Sequence, residues 1–188
     1  MESAPKIVTV IPKVPKQTIM INISITSVEK PGEVQHLLMG TDVPRYYWEI
    51  QCHRDSHPQW SICIATNHHK IPPKFLQDDS GPVFVGAEQG VFSLDRQSGS
   101  VIDKVVDTTY VQDFVCTRHG PILVTSEDQL LAFAPTGHFL WRQNFPDCIE
   151  NVQDKDTVLV VNDVAGNGYS IDIQTGRRHC SVCRRTSG

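Results

Sequence analysis

The residues of this 188-residue chain best suited to chemistry are its histidines and cysteines, and they fall in two groups. His53, Asp55 and His57 alternate, and His68 and His69 follow in the next polar stretch. A His-x-Asp-x-His run can hold a metal or supply an acid–base pair. It also fits a solvated hairpin tip, where polar side chains collect. Near the other end, Cys180 and Cys183 form a C-x2-C pair, which is half of a zinc knuckle. A structural zinc site needs four ligands. No second C-x2-C exists, so His68, His69 or His119 would have to complete the set. Arg177, Arg178, Arg184 and Arg185 flank the pair, which reads as a basic tail with incidental thiols. The expectation is no metal; His53, His57, Cys180 and Cys183 are the alternative ligand set.

Other chemistry lacks its residues. There is no G-x-S-x-G elbow, and no Ser or Cys stands in a recognisable catalytic context. The glycine-rich stretch 164–168 sits between two apolar strands, not at a strand-to-helix turn, so it is no phosphate cradle. Asp154, Asp156 and Asp163 do not follow a calcium-loop pattern. The expectation is a protein without catalytic residues.

Composition narrows the class. Seventeen Lys and Arg stand against 21 Asp and Glu, a net charge of −4, which disfavours a nucleic-acid surface. No segment reaches the roughly 20 apolar residues that span a bilayer. The N-terminal residues lack a signal-peptide core, so the expected location is the cytoplasm, without a membrane partner. Most of the six cysteines lie in apolar, strand-like contexts and read as reduced, buried thiols.

The elements that would position these residues are strands. Residues 6–11 are β-branched and strand-like, and Pro12 and Pro15 mark an edge or linker after them. In residues 18–28, Ile19, Ile21, Ile23 and Ile25 alternate with mostly polar neighbours, which puts one apolar face on a strand. Residues 34–39 favour a strand. Residues 46–52 and 60–65 read as a hairpin joined by residues 53–59. Tyr46 and Trp48 share one face of its first strand and Tyr47 takes the other. With Arg45 and Glu49 beside them, Arg45, Tyr46, Trp48 and Glu49 form a candidate partner-binding patch. Residues 66–80, with Pro72 and Pro73, read as irregular, and the boundary between two halves falls near Pro72 to Ser80.

The second half repeats. Three stretches, 81–107, 120–145 and 156–179, each hold two short apolar strands, then a turn ending in glycine, then a return strand. The turn glycines Gly99, Gly137 and Gly176 recur at intervals of 38 and 39 residues. Residues 110–116 are read as the fourth strand of the first unit. Residues 92–99 and 169–176 both fit aromatic-x-aliphatic-Asp-x-x-Thr/Ser-Gly, and the middle copy is followed by Leu140-Trp141. This pattern resembles the repeats of quinoprotein-type β-propellers. The resemblance covers about residues 81–179 and implies blades of four strands, with the Asp and hydroxyl bracing the turn and the Trp docking on a neighbouring blade. Only the middle copy carries the Trp, and its turn has lost the Asp.

Closed propellers have about 4–8 blades, whereas three repeats are visible. The expected fold is therefore all-β: about three blade-like four-stranded antiparallel units in an open or partial propeller, with an N-terminal β-sheet packed on them. Residues 1–75 would form the N-terminal strand region, 76–180 the repeat region and 181–188 a flexible tail. The pyrroloquinoline quinone that the family name implies needs a funnel in a complete ring, so no cofactor is expected. Open edges invite a protein partner. The expected function is a non-catalytic protein-interaction module, in the form of an immunity or inhibitor protein. The alternatives are a metal-dependent enzyme or metal-binding protein using the His53–His69 loops and a scaffold subunit that completes a propeller by dimerisation.

Overall fold

Short β-branched and aromatic runs, punctuated by Gly, Pro and Asp, leave no stretch of helical period. The computed structural model describes residues 21–179 except 35, 69, 70, 78–80 and 119, and those residues contain strands but no α-helix. Residues 6–11, Ile19, His69, His119, Cys180 and Cys183 lie outside them.

Among the described residues sixteen strands form four four-stranded sheets. Sheet A holds β1 (Ile21–Val28), β2 (His36–Met39), β3 (Tyr46–Arg54) and β4 (His57–Thr66) in the order β1-β3-β4-β2. Blade 1 is β5 (Lys74–Gln77), β6 (Val83–Ala87), β7 (Gly90–Leu94) and β8 (Val101–Val105). Blade 2 is β9 (Val111–Cys116), β10 (Ile122–Ser126), β11 (Gln129–Phe133) and β12 (Phe139–Asn144). Blade 3 is β13 (Ile149–Lys155), β14 (Val158–Asp163), β15 (Gly168–Asp172) and β16 (Arg178–His179). Within each blade the strands pair antiparallel in chain order, whereas β2 pairs parallel with β4. The sheets stack as an open arc, with β5 beside β9 on one rim and β8 beside β12 on the other.

Two readings of the sequence are corrected here. The fourth strand of the first unit is not 110–116: that segment is β9 and opens blade 2. The missing strand is β5, inside the stretch read as irregular. It has only four residues and follows directly on Pro72-Pro73, too short to show alternation. The polar link between β3 and β4 is also tighter than expected. Both strands run into it, and the turn is Asp55-Ser56 alone, with φ of 48° and 68°. Two consecutive positive φ values are those of a type I′ hairpin turn, whose twist matches paired strands.

Three apolar layers hold the arc. Leu38, Ile50, Ile62 and Ile64 of sheet A pack on Val83, Val85, Phe92 and Leu94 of blade 1, with Ile23 and Ile25 half-buried against them. Phe84 and Val91 pack on Val124, Leu131 and Phe133 between blades 1 and 2. Leu123, Leu130 and Trp141 pack on Leu159, Val161, Ile171 and Ile173 between blades 2 and 3. Burying one such side chain contributes roughly 1.5–3 kcal/mol. Because blade 1 is covered on both faces, β6 and β7 are buried at every position. In blade 3 burial alternates along β14, because only one of its faces meets another sheet. Its outward face carries Gln153, Asn162 and Ser170 together with the half-buried Val158 and Val160. Sheet A presents Asn22, Ser24, Thr26, Glu49 and Gln51 outward around a half-buried Tyr47, with the exposed Leu37 and Met39 of β2 on the same face.

Sheet A is itself built like a blade. In β8, β12 and β4 one extra residue bulges out of register: Ile102, Leu140 and Gln59. Trp60 follows the β4 bulge as Trp141 follows the β12 bulge. On this alignment β1, β3 and β4 hold the second to fourth strand positions of a blade, and β2 is added outside β4. Among the described residues no strand holds sheet A's first position.

Candidate interaction groove

The three joints between sheets share one device. In blades 1 and 3 an aspartate braces the turn before the glycine. Asp95 Oδ1 accepts the Ser98 hydroxyl at 2.7 Å and the Ser98 amide at 2.8 Å, and Asp172 Oδ1 does the same with Thr175 at 2.7 Å each. These bonds hold both carboxyls below their ordinary range, with the Ser98 and Thr175 hydroxyls as the largest cause. The turns present Gly99 and Gly176 with φ of 72° and 68°, where an L side chain is strained. A Cβ would lie 2.7 Å from the Trp60 ring at Gly99 and 2.6 Å from the Trp141 ring at Gly176. The Trp60 indole N–H donates to the Arg96 carbonyl at 2.9 Å, and that of Trp141 to the Ile173 carbonyl at 3.2 Å. Each acceptor is the residue after the turn aspartate. The joint between sheet A and blade 1 thus repeats the joint between blades 2 and 3. The middle joint has no Trp: Ile102 packs at Gly137, and the Ser93 hydroxyl donates to the Gly137 carbonyl at 2.6 Å.

The rims above these joints differ. Phe139 and Arg142 of β12 stand opposite Phe133 and Leu131 of β11, on the face toward blade 1. Phe139 sets its ring edge-on to Phe133, 5.6 Å between centroids, and its N–H donates to Asp103 Oδ2 at 2.9 Å. Arg142 donates to the Val106 carbonyl at 3.2 Å. At the last joint Arg178 lies 5.0 Å over the Phe145 ring and 4.9 Å over Tyr169, and donates to the Asn144 carbonyl. In both, an arginine reaches back to a carbonyl at the end of the preceding edge strand.

At the first joint the same positions of β8 hold Val101 and Lys104, which stand opposite Leu94 and Phe92 and so face sheet A. Valine is smaller than phenylalanine, and the Lys104 ammonium has no hydrogen-bond or ion-pair partner among the described residues. The result is a groove of about 430 Å³ between the free edges of β2 and β8. Leu38, Phe92, Val101, Lys104 and Val106 line it, together with Leu37 and Met39 of β2 and with Ile102 and Asp103 of β8. Val101 and Val106 are exposed, as are Leu37 and Met39 on β2. None of these residues stood out in the sequence. The signal was there in the aligned copies: two residues past the turn glycine Val101 stands where blade 2 has Phe139, and five past it Lys104 stands where blade 2 has Arg142.

The residues singled out from the sequence are distributed otherwise. Tyr46 and Trp48 alternate with the core residue Ile50 on the side of β3 toward blade 1, and the Trp48 indole donates to Thr66 Oγ1 at 3.2 Å. Glu49 faces the opposite side, where it accepts from Gln51 at 2.9 Å. Arg45 precedes the strand and is exposed. The four therefore do not share one face. His53 pairs with Pro58 and Arg54 with His57, so the strand pleat turns His53 and His57 to opposite faces of the hairpin. Among the described residues no three His, Cys, Asp or Glu side chains are grouped to hold a metal. His68 lies at the blade 1 turn: its backbone N–H, with that of Asn67, donates to Glu88 at 2.6 and 2.7 Å.

Four described cysteines are free thiols. Burial, joined by the Glu49 carboxylate, pushes Cys63 up to about 11, and burial raises Cys52 against the opposing charge of Arg96. Such thiols stay protonated and poorly nucleophilic. Cys116 lines a smaller apolar pocket of about 170 Å³ with Leu76, Phe84 and Ile122.

No family model and no curated protein matches the chain. Several solved structures are similar in shape. The computationally designed protein Ika4 is 13% identical over 65% of this chain and 79% of its own, at a TM-score of 0.48. HIRA(644-1017) is 11% identical over 94% of this chain and 57% of its own, also at 0.48. BamB from Moraxella catarrhalis is 15% identical over 74% of this chain and 50% of its own, at 0.44. All three scores lie below 0.5. What places this chain among all-β proteins of repeated, blade-like four-stranded sheets is its own strand pairing.

Proposed function

We propose that the chain is a non-catalytic protein-interaction module that binds its partner at the groove between sheet A and blade 1. The observation that carries this reading is the groove itself: exposed apolar side chains, with a cation and two strand edges that have no partner among the described residues. Exposed strand edges flanking apolar surface are the usual substrate of strand addition. An immunity or inhibitor role, in which the groove captures and neutralises a protein, is the form this function takes in our reading. The test is quantitative co-purification of the tagged chain with its partners. Val101→Asp should remove the partner that wild type retains, and Gln153→Asp on the outward face of blade 3 should not. Equal retention by Val101→Asp and wild type would sink the groove reading.

A further inference from the structure

The three rims together say what the empty one lacks. We infer that the groove between β2 and β8 takes an extended peptide segment of the partner, one that carries a large apolar or aromatic side chain and, close to it, a carboxylate. This deepens the interaction reading above and rests on it.

At the joint between blades 1 and 2 the rim contains an aromatic ring, Phe139, and a basic side chain satisfied by a carbonyl, Arg142 on Val106. At the joint between blades 2 and 3 it contains Phe145 and Tyr169 with Arg178 stacked on them and bonded to Asn144. The first joint has the floor for such a ring, in Phe92 and Leu38, but only Val101 above it. It has the cation, the exposed Lys104, but among the described residues no acceptor for it. An occupant that completes this rim must bring both parts. A compact ammonium is strongly hydrated and favours a full negative charge over a neutral carbonyl, which selects Asp or Glu. Asp103 also lines the groove, but its carboxylate does not serve as that acceptor. It stands opposite Ser93, toward blade 2, and its oxygens accept the backbone N–H of Phe139 and of Lys104. The occupant is extended because the groove runs between two strand edges, whose backbone groups pair with an added strand while alternate side chains enter the groove.

The experiment uses the full chain and a phage-displayed library of random dodecapeptides. Enriched sequences are then synthesised with a fluorescent label and titrated by anisotropy. The inference expects enriched peptides that combine an aromatic, Leu, Ile or Met side chain with a nearby Asp or Glu. Val101→Phe, which restores the ring that blade 2 carries, should weaken binding by about tenfold or more while the thermal midpoint holds or rises. Lys104→Gln should weaken an acidic peptide several-fold and leave its Gln counterpart unchanged. No enrichment, or binding indifferent to both substitutions, would overturn the inference. The two readings fail separately. A partner protein lost on Val101→Asp without any peptide binder sinks only the extended-peptide claim, whereas a partner still retained by Val101→Asp sinks the groove.

Discussion

The first and last joints of the arc are the same inside and different at the rim. Trp60 on Gly99 and Trp141 on Gly176 agree in ring contact, in turn conformation and in the carbonyl each indole finds. Above Trp141 the space is closed by Arg178 between two rings; between sheet A and blade 1 there is a groove. The contrast separates two jobs that one interface could have mixed. The tryptophan and glycine lock the sheets together, and the rim residues are then free to close the joint or leave it open without altering the lock.

The largest effects should come from the lock. Trp60→Ala and Trp141→Ala each remove a buried aromatic and leave a cavity, so each should lose about 3–5 kcal/mol in urea unfolding. If Trp60→Ala cost less than about 1 kcal/mol, sheet A would not be docked as a blade is. Next come the glycines. Gly99→Ala should cost about 2–4 kcal/mol, from positive φ together with a Cβ pressed into an indole. Gly137→Ala should cost less, about 1–2 kcal/mol, because its Cβ meets the end of the Ile102 side chain at 3.1 Å. Equal losses would erase the difference between tryptophan and isoleucine joints.

Smaller effects belong to the rims. Arg178→Ala should destabilise by about 1 kcal/mol through the lost cation–π contacts. Lys104→Ala should change stability by less than about 0.5 kcal/mol, since it has nothing to lose. The smallest effect is a pH dependence shared by the turns of blades 1 and 3. Asp95 and Asp172 have depressed pKa values, so their contribution is present above the unfolded carboxyl range near pH 4 and is lost as pH falls through the folded values. Thermal midpoints measured from pH 6 to pH 2 should therefore fall less steeply for the Asp95→Asn, Asp172→Asn double variant than for wild type. A steeper fall would contradict the bracing role.

How much of this was legible beforehand depended on range. The Asp-x-x-Ser/Thr-Gly turns could be read because every side-chain bond of the aspartate in them spans three residues or fewer. The blade-like nature of sheet A could not. Trp60 follows a two-residue turn at Asp55-Ser56 in place of the glycine turn, and the segment carrying β2 is inserted between β1 and β3. Nor could the groove, which is made by two edge strands more than 60 residues apart in sequence. The aromatic run 46–48 drew attention because aromatics favour interfaces, but strand alternation gave Tyr46 and Trp48 to the side of the core and Glu49 to the other. His53 and His57 failed to converge for the same reason: period two in a paired strand separates what adjacency in sequence suggests is together.

The central claim is that the chain recognises a partner where Val101 leaves the first joint unfilled. Partner or peptide affinity of Val101→Phe, measured beside its thermal midpoint, tests that claim most directly. The account predicts affinity reduced about tenfold or more with stability unchanged or raised, because the new ring occupies the groove as Phe139 occupies the next one. Undiminished affinity in a stably folded Val101→Phe protein would contradict it.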